Sequence, residues 1–583
     1  MSIILGINAY HADSSACLLI NGKLECAIEE ERINRIKHWA GFPKESIECC
    51  FKNTGVQLKD ITDIAINTNP YANLKRKIPF FISNYLLGKK KYEVLNRFKK
   101  RVLLKNYFLK TFEQFEKNNN LEFHQIEHHL SHISSAFYPS GYEKAIGLSI
   151  DGFGDFSSLA ISECEGSKIK LKRKIFFPHS LGIFYESITQ FLGFKNYGDE
   201  YKVMGLASYG TPKYFDEMIK VIFCRSSEIF SLNLDFFNHN KKNFEYKFDG
   251  KPKQPQIYSQ RFIEIFGDNK DFTTTNITQK QKDLACSAQK VFEYFLTKIL
   301  EENMKLNFSK KLTYAGGCAL NSLANGKFLA KKMFDETYIP YAPGDSGGAI
   351  GAALYTFKNK YPERALRNLK NPFLGSNFTN NEMKKIIYKK DELSKFKIIY
   401  IDNEIQLCEK VANIIAESKI VGWFQNKMEY GARALGNRSI LADPRNPSMK
   451  EIINKKIKRR ESFRPFAPAI LKEMKDDWFS GNEGRENLYM SAVENVIKNK
   501  RNLISAVVHV DGTGRVQTVS KDLNYRFYML INCFSKISNV PILLNTSFNE
   551  NEPIVLNPTE AIDCFLRTEM DCLVLNNYVI LRE

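Results

Sequence analysis

The first thirty residues alternate apolar runs with short polar turns. IILGIN (3–8) and SACLLI (15–20) are apolar, Asn21-Gly22 is a tight-hairpin signal, and KLECAIEEE follows. The pattern predicts three strands in succession. Residues 145–176 repeat the plan: AIGLSI, the turn DGFGD, SSLAISE, a turn at Gly166, then KIKLKRKI. Two alike openings in one chain predict an internally duplicated α/β fold. Mostly helical patterns fill the stretch between them. Residues 312–327, LTYAGGCALNSLANGK, predict a buried strand, a Gly-Gly turn and a helix start. PGDSGGAIGAALYTF (343–357) predicts a turn and a helix with a small-residue face, which lets backbone approach backbone. The polar, Lys-rich stretch 358–400, with Pro362 and Pro372, predicts a domain boundary, giving domains over 1–357 and 366–583. From about 405 a second α/β unit is expected, with strands at KIVGWF, ISAVVHV, VPILLN and CLVLNN.

Size and charge sharpen this picture. A chain of 583 residues exceeds the roughly 250–300 that one core supports, so at least two domains are expected. With 43% hydrophobic and 26% charged residues it is globular in composition. No apolar run reaches the roughly 18 residues of a membrane span; the longest, Ile78 to Leu87, contains Ser83 and Asn84. MSIILGINAYH lacks a basic start and a cleavage site, so a cytoplasmic protein without a leader is expected. The twelve cysteines form no CxxC pair, which excludes a zinc ribbon and a disulfide framework. The net charge of +19 is local: residues 71–120 hold 13 Lys/Arg against 3 Asp/Glu, and residues 433–464 hold 10 against 3. These two clusters, +10 and +7, leave the rest nearly neutral.

Four groupings carry candidate chemistry. In HHLSH, His128 and His132 stand four apart and share one helix face, where two imidazoles can grip one divalent ion. Asp151 opens the DGFGD turn and Asp345 sits in PGDSGG, each able to project a carboxylate. Two imidazoles and two carboxylates suit iron, manganese or zinc, and the oxygens favour iron or manganese. Taken singly, an ordinary hairpin turn and a polar helix face account for the same residues. Next, GGCALN (316–321) follows a buried strand and could free amides for phosphate. It is neither a P-loop nor GxGxxG, and a tight strand–helix connection is the plain alternative.

The third grouping runs from Met428 to Pro468. MEYGARALGNRSILADPR holds Arg433, Arg438 and Arg445, and KKIKRRESFRPFAPA adds Lys458, Arg459, Arg460 and Arg464. Cations interleaved with Gly, Leu, Ile, Phe and Pro point to a pocket for a phosphorylated small molecule. Arg515 in HVDGTGRVQTV, with Asn545 and Ser547 in LLNTSFN, could complete it. Nucleic acid is disfavoured, because no aromatic stacking series or RNA-binding motif is present. The fourth grouping, 71–120, has no catalytic spacing. It reads as a solvated helical hairpin, or as a contact with an anionic substrate or membrane surface.

Together these pieces resemble the NodU/CmcH family of O-carbamoyltransferases over nearly the whole chain. The carriers, in order, are LGINAYHADSSACLL, AIEEERINRIKH, HHLSHISSAFYPS, IDGFGD, GDEYKVMGLASYG, AGGCALN, PGDSGGAIGAA, MEYGARALGNRSILADPR, KRRESFRPFAPA, HVDGTGRVQTV and NTSFN. Family patterns have GPRALG where this chain has GARALG (431–436), and often a non-Gly residue where Gly514 stands. Neither change touches a charged group.

The resemblance implies an N-terminal actin-like, RNase-H-type duplicated domain, similar to threonylcarbamoyl-transfer enzymes, and a C-terminal YrdC-like twisted α/β domain. It implies that His128, His132, Asp151 and Asp345 hold Fe2+ (or Mn2+), and that Gly317 and Asn321 form a nucleotide-side loop. Arg433, Lys458, Arg464, Arg515, Asn545 and Ser547 would bind carbamoyl phosphate and ATP with its Mg2+. His11 and Lys37, with Asp151, would stand at the acceptor and transfer site, His11 taking the acceptor's proton. The implied activity is carbamoyl-adenylate formation in the C-terminal domain, then transfer to a hydroxyl of a sugar, aminoglycoside or lipo-oligosaccharide. A homodimer and an anionic-surface contact through 71–120 stay open. Competing readings are an RNA-modifying or RNA-binding factor, favoured by the basic clusters, and a metal-bound sugar kinase, which leaves the C-terminal motifs unused.

Overall fold

Both openings fold as antiparallel meanders, and each is extended by two parallel strands. The computed structural model describes residues 1–85, 100–112, 121–224, 229–241, 246–247, 249–270 and 272–582. β1 (Ile3–Asn8), β2 (Ser15–Ile20) and β3 (Lys23–Glu29) form the first meander. β4 (Asp63–Ile66) pairs parallel with β1, and β5 (Glu122–Gln125) pairs parallel with β4. The second meander is β6 (Lys144–Gly154), β7 (Ser157–Glu165) and β8 (Lys168–Phe176). A short pair, β9 (Phe223–Cys224) and β10 (Ser231–Leu232), precedes β11 (Lys311–Ala315) and β12 (Glu336–Tyr338). β11 pairs parallel with β6 and β12 parallel with β11. The two orders, β3-β2-β1-β4-β5 and β8-β7-β6-β11-β12, match strand for strand and direction for direction. This is the internally duplicated α/β fold that the repeated openings predict, in the actin-like, RNase-H-type arrangement that the family resemblance implies.

Small residues set how closely the elements pack here. The Gly347–Lys360 helix lies against β1 and the His128–Ser140 helix. A Cβ on Gly351 would stand 1.8 Å from Ser131 O, and one on Gly6 would stand 2.2 Å from Ala349 O. Only hydrogen fits at either position. The side chains of Ile3, Ile4, Leu5 and Ile7 are all buried, as a central strand covered on both faces requires.

The C-terminal part holds an eight-stranded mixed sheet, ordered β13-β23-β22-β14-β15-β21-β16-β20. Its strands are β13 (Lys397–Tyr400), β14 (Val421–Phe424), β15 (Arg438–Ala442), β16 (Ala467–Leu471), β20 (Gln517–Val519), β21 (Ile542–Ser547), β22 (Cys572–Leu575) and β23 (Tyr578–Leu581). β17 (Phe479–Ser480), β18 (Glu494–Val496) and β19 (Thr513–Gly514) make a smaller sheet. The expected strand at ISAVVHV is a correction: Lys498–Val507 is a run of 3₁₀ turns. Ile504, Ala506 and Val507 are buried, so their apolar character reports burial and not a strand.

The chain divides into two compact units. The first is Met1–Leu320 with Lys332–Lys370, and the second is Asn321–Lys331 with Asn371–Glu583. The division therefore differs from one cut near residue 360, because 321–331 belongs with the second unit. Val493 N donates to Ser322 O and Asn325 Nδ2 to Ser491 O, which ties that segment in place. Of the basic segment 71–120, residues 86–99 and 113–120 lie outside the described residues. The described parts carry helices at Leu74–Tyr85 and Leu104–Thr111. No helix among the described residues is long and apolar enough to cross a membrane.

Candidate functional site

In the first unit the His128–Ser140 helix leads into β6, and its first turn faces that strand's far end, where His128 meets Asp151. Glu127 caps the helix, accepting from Leu130 N at 2.8 Å. Asp155, the second acid of DGFGD, accepts from His128 N at 3.0 Å, Asn69 N at 2.8 Å and Thr68 Oγ1 at 3.1 Å. A Cβ on Gly154 would lie 1.9 Å from the His128 ring, so the glycine makes room for that imidazole.

Four donor atoms then converge. His128 Nε2 and His132 Nε2 are 3.0 Å apart. Asp151 Oδ2 lies 2.9 Å from the first and 3.2 Å from the second. Asp345 Oδ1 lies 3.5 and 3.4 Å from the same two nitrogens. Asp151 Oδ1 accepts from Gly152 N and Gly317 N, which leaves Oδ2 for the imidazoles. Burial would raise the Asp151 carboxyl, yet the two imidazoles hold it well below the carboxylate range. Burial and Asp151 lift Asp345 to about 6, and its Oδ1 is buried without a hydrogen-bond partner. Burial opposes a charge on His132, but Asp151 and Asp345 carry it up to about 9. Two imidazole nitrogens and two carboxylate oxygens aimed at one point form a set that a divalent transition ion fits.

Other predicted residues stand nearby or apart. His11 is buried and stacks on the His128 ring at 4.7 Å. Arg101, from the basic segment, donates to Tyr10 O at 3.3 Å, and its charge reaches His11. Lys37 is exposed, whereas its neighbour His38 is held by Asp13. Gly317 lies in the first unit, and Asn321 opens the segment that belongs to the second, accepting from Ala324 N as a helix cap.

In the second unit the basic residues divide into two kinds. Some serve the fold. Arg438 is fully buried and donates to the carbonyls of Gln425, Asn437, Ser376 and Asn426. Arg445 pairs with Asp443. Lys458 is buried, and its ammonium donates to Ser547 O, Asn549 O and Asn549 Oδ1. Asn545 donates to Ala434 O and Gln517 Oε1, and Ser547 Oγ donates to Asn549 Oδ1. Lys458, Asn545 and Ser547 therefore shape the loops around the arginines. The other kind gathers. Arg515 is half-buried with its Nε buried and unpartnered, and burial plus the charges of Arg433, Arg460 and Arg464 hold its pKa far below the usual range. Arg464 pairs with Glu461 at 3.6 Å. Guanidiniums gathered against their own repulsion make a site for an anion carrying several charges.

Comparison with known proteins gives this pair of sites a family. The model for the N-terminus of carbamoyltransferases matches residues 3–354, and the one for the C-terminus matches 412–582. The chain belongs to the carbamoyltransferase family. Nodulation protein NolNO of Sinorhizobium fredii is 35% identical over 98% of this chain and 79% of its own. Nodulation protein NolO of Bradyrhizobium diazoefficiens is 35% identical over 78% of each chain. Uncharacterized protein sll1178 of Synechocystis sp. is 35% identical over 100% of this chain and 97% of its own. The protein is thus a carbamoyl-transferring enzyme.

Within this carbamoyltransferase, Arg460, counted among the pocket cations from the sequence, joins the arginine group. Two residues escaped sequence reasoning: Asp155 fixes the helix that carries the histidines, and Glu429 anchors the arginine loop. Glu429 is buried and accepts from the backbone nitrogens of Leu435, Asn437 and Arg438. The only signal for Asp155 and Glu429 is an acid inside a glycine-rich turn, which many turns share.

Proposed function

We propose that the second unit joins carbamoyl phosphate to ATP, and that the first unit passes the carbamoyl group to a hydroxyl of a sugar or natural-product acceptor. The observation that carries this reading is the gathering of Arg433, Arg460, Arg464 and Arg515. Carbamoyl phosphate and Mg2+-bound ATP are anions that repel each other. Four guanidiniums offset that repulsion and hold the two within reach. The net step consumes carbamoyl phosphate, ATP and water, and gives carbamoyl-adenylate, phosphate and pyrophosphate. Lys458, Asn545 and Ser547 keep the surrounding loops in shape.

His128, His132, Asp151 and Asp345 would hold iron or manganese in the first unit. When bound, the ion supplies Lewis-acid polarisation of a carbonyl or phosphate oxygen. Asp155 and Gly154 fix the His128 imidazole, and His11 packs on it. The acceptor oxygen attacks the carbamoyl carbon, its proton passes to a base, and AMP leaves.

A single-turnover mixture of labelled carbamoyl phosphate and ATP tests the split. Arg515→Ala should slow pyrophosphate release about 10- to 100-fold, the loss of one charge-assisted contact. Asp151→Asn should release pyrophosphate normally yet stall before carbamoyl transfer. If Asp151→Asn blocks both steps equally, the two-site reading is wrong.

A further inference from the structure

We propose that His38, oriented by Asp13, takes the proton from the acceptor hydroxyl in the first unit. This deepens the adenylate reading above and rests on it. His38 Nδ1 meets Asp13 Oδ1 at 2.8 Å. That bond fixes the ring and leaves Nε2 as the nitrogen through which the imidazole, once it has lost its proton on the alkaline side, can accept another. His38 N also donates to Glu31 Oε2 at 2.7 Å, so the backbone is held as well as the ring.

Two further observations set this pair apart from an ordinary surface ion pair. Asp13 and His38 both adopt left-handed backbone, with φ of 53° and 56°. Such conformations are strained for a side-chain-bearing residue and are retained where geometry matters. Next, Gly198, at φ +83°, packs against the ring: a Cβ there would stand 2.3 Å from His38 Nε2, so the glycine makes room for the imidazole and only hydrogen lies beside that edge.

Asp13 stands two residues along the chain from His11, whose ring stacks on that of His128 at 4.7 Å. Tyr197 meets His38 edge-on at 5.7 Å, and its hydroxyl feels Asp345, Glu186, Asp13 and Asp151. Glu200 feels His38 and Asp13, while the Cys318 thiol feels Asp151 and Glu200. The side chain of His38 is 31% exposed, open to an entering acceptor, whereas His11 is only 6% exposed and its ring is stacked on His128. In the step itself the acceptor O–H proton moves to His38 Nε2. The new bond joins the acceptor oxygen to the carbamoyl carbon, and the bond from that carbon to the adenylate phosphate oxygen breaks. AMP leaves with the electron pair. The charges facing His38 are Asp13, Glu31 and Glu200, with Lys37 opposing them.

The test uses full-length protein with labelled carbamoyl phosphate and ATP, and two probes as nucleophiles. Water needs its proton removed as it attacks, whereas hydroxylamine attacks through a free lone pair and yields hydroxyurea. In His38→Gln, AMP release to water should fall about 100-fold, while hydroxylamine capture and pyrophosphate release stay near wild type. Asp13→Asn should cost about tenfold and move the rising limb of the water reaction to lower pH. The reason is that Asp13 helps to hold the imidazole up at about 9. The His38 imidazole, followed by NMR in labelled protein, should move with that limb. Equal losses for both nucleophiles, an unchanged water rate in His38→Gln, a wild-type water rate no faster than the adenylate in buffer, or a limb indifferent to Asp13 would each overturn the assignment. Wild type that releases no pyrophosphate would overturn the adenylate reading and this proposal with it. Normal release with any of the former results overturns this proposal alone.

Discussion

The two units solve opposite electrostatic problems. In the first, lone pairs from His128, His132, Asp151 and Asp345 converge until two nitrogens stand 3.0 Å apart. In the second, guanidiniums converge until burial and three like charges bear on Arg515. The second cluster crowds like charges and suits an anion, whereas the first sets imidazoles against carboxylates and offers a donor set that suits a cation. Both are held by backbone-bonded acids outside the cluster, Asp155 in the first and Glu429 in the second. The lesson is that a ligand site can be recognised by the repulsion its scaffold is built to bear.

The comparison breaks most visibly at the histidines. His132→Ala should reduce transfer on the order of 10²- to 10³-fold and remove tightly bound transition metal, measured by elemental analysis, while pyrophosphate release persists. Unchanged metal content would take His132 out of the site. Next in size is Lys458. A pocket cation would be replaceable without loss of fold, but this ammonium is buried among carbonyls. Lys458→Met should therefore lower unfolding free energy by about 1–3 kcal/mol, through stranded acceptors at Ser547 and Asn549, as denaturant melting would show. A fully stable variant that has lost only pyrophosphate release would return Lys458 to the anion pocket. The smallest effect concerns pH. Burial lowers His38, but Asp13 and Glu31 overcome it and raise the imidazole to about 9. The folded protein thus holds this proton more tightly than the unfolded chain does. The added stability is present in full below about pH 6.5 and is lost as pH rises through about 9. Melting of wild type against Asp13→Asn across that window should show the two curves converging at the alkaline end.

Much of this arrangement was legible beforehand. The meanders announced themselves through apolar runs and an Asn-Gly turn, and the histidines through their i, i+4 spacing. β4 and β5 did not: DIAI is only four residues long, and EFHQ is largely polar at a sheet edge. ISAVVHV misled because a buried 3₁₀ run and a strand can have the same hydrophobicity. Within the basic region, sequence could count cations but not tell their partners apart. Arg438 and Lys458 face backbone carbonyls, and a carbonyl carries no code. The same holds for Asp155 and Glu429, most of whose bonds go to backbone nitrogens.

The segment Asn321–Lys331 has a consequence for how such an enzyme can be taken apart. The polypeptide leaves the first unit at 321, returns at 332 and leaves again at 371, so three covalent connections join what one linker would usually join. Severing the chain near 371 does not release the second unit, because eleven of its residues stay on the other strip. A separately expressed C-terminal piece would lack the helix Ser322–Ala330, whose Gly326 leaves less than 3 Å of room for a Cβ against Val493. The two units are stitched, not strung. Neither can be duplicated, lost or exchanged as a continuous cassette, and changes that suit one half must be inherited with the other.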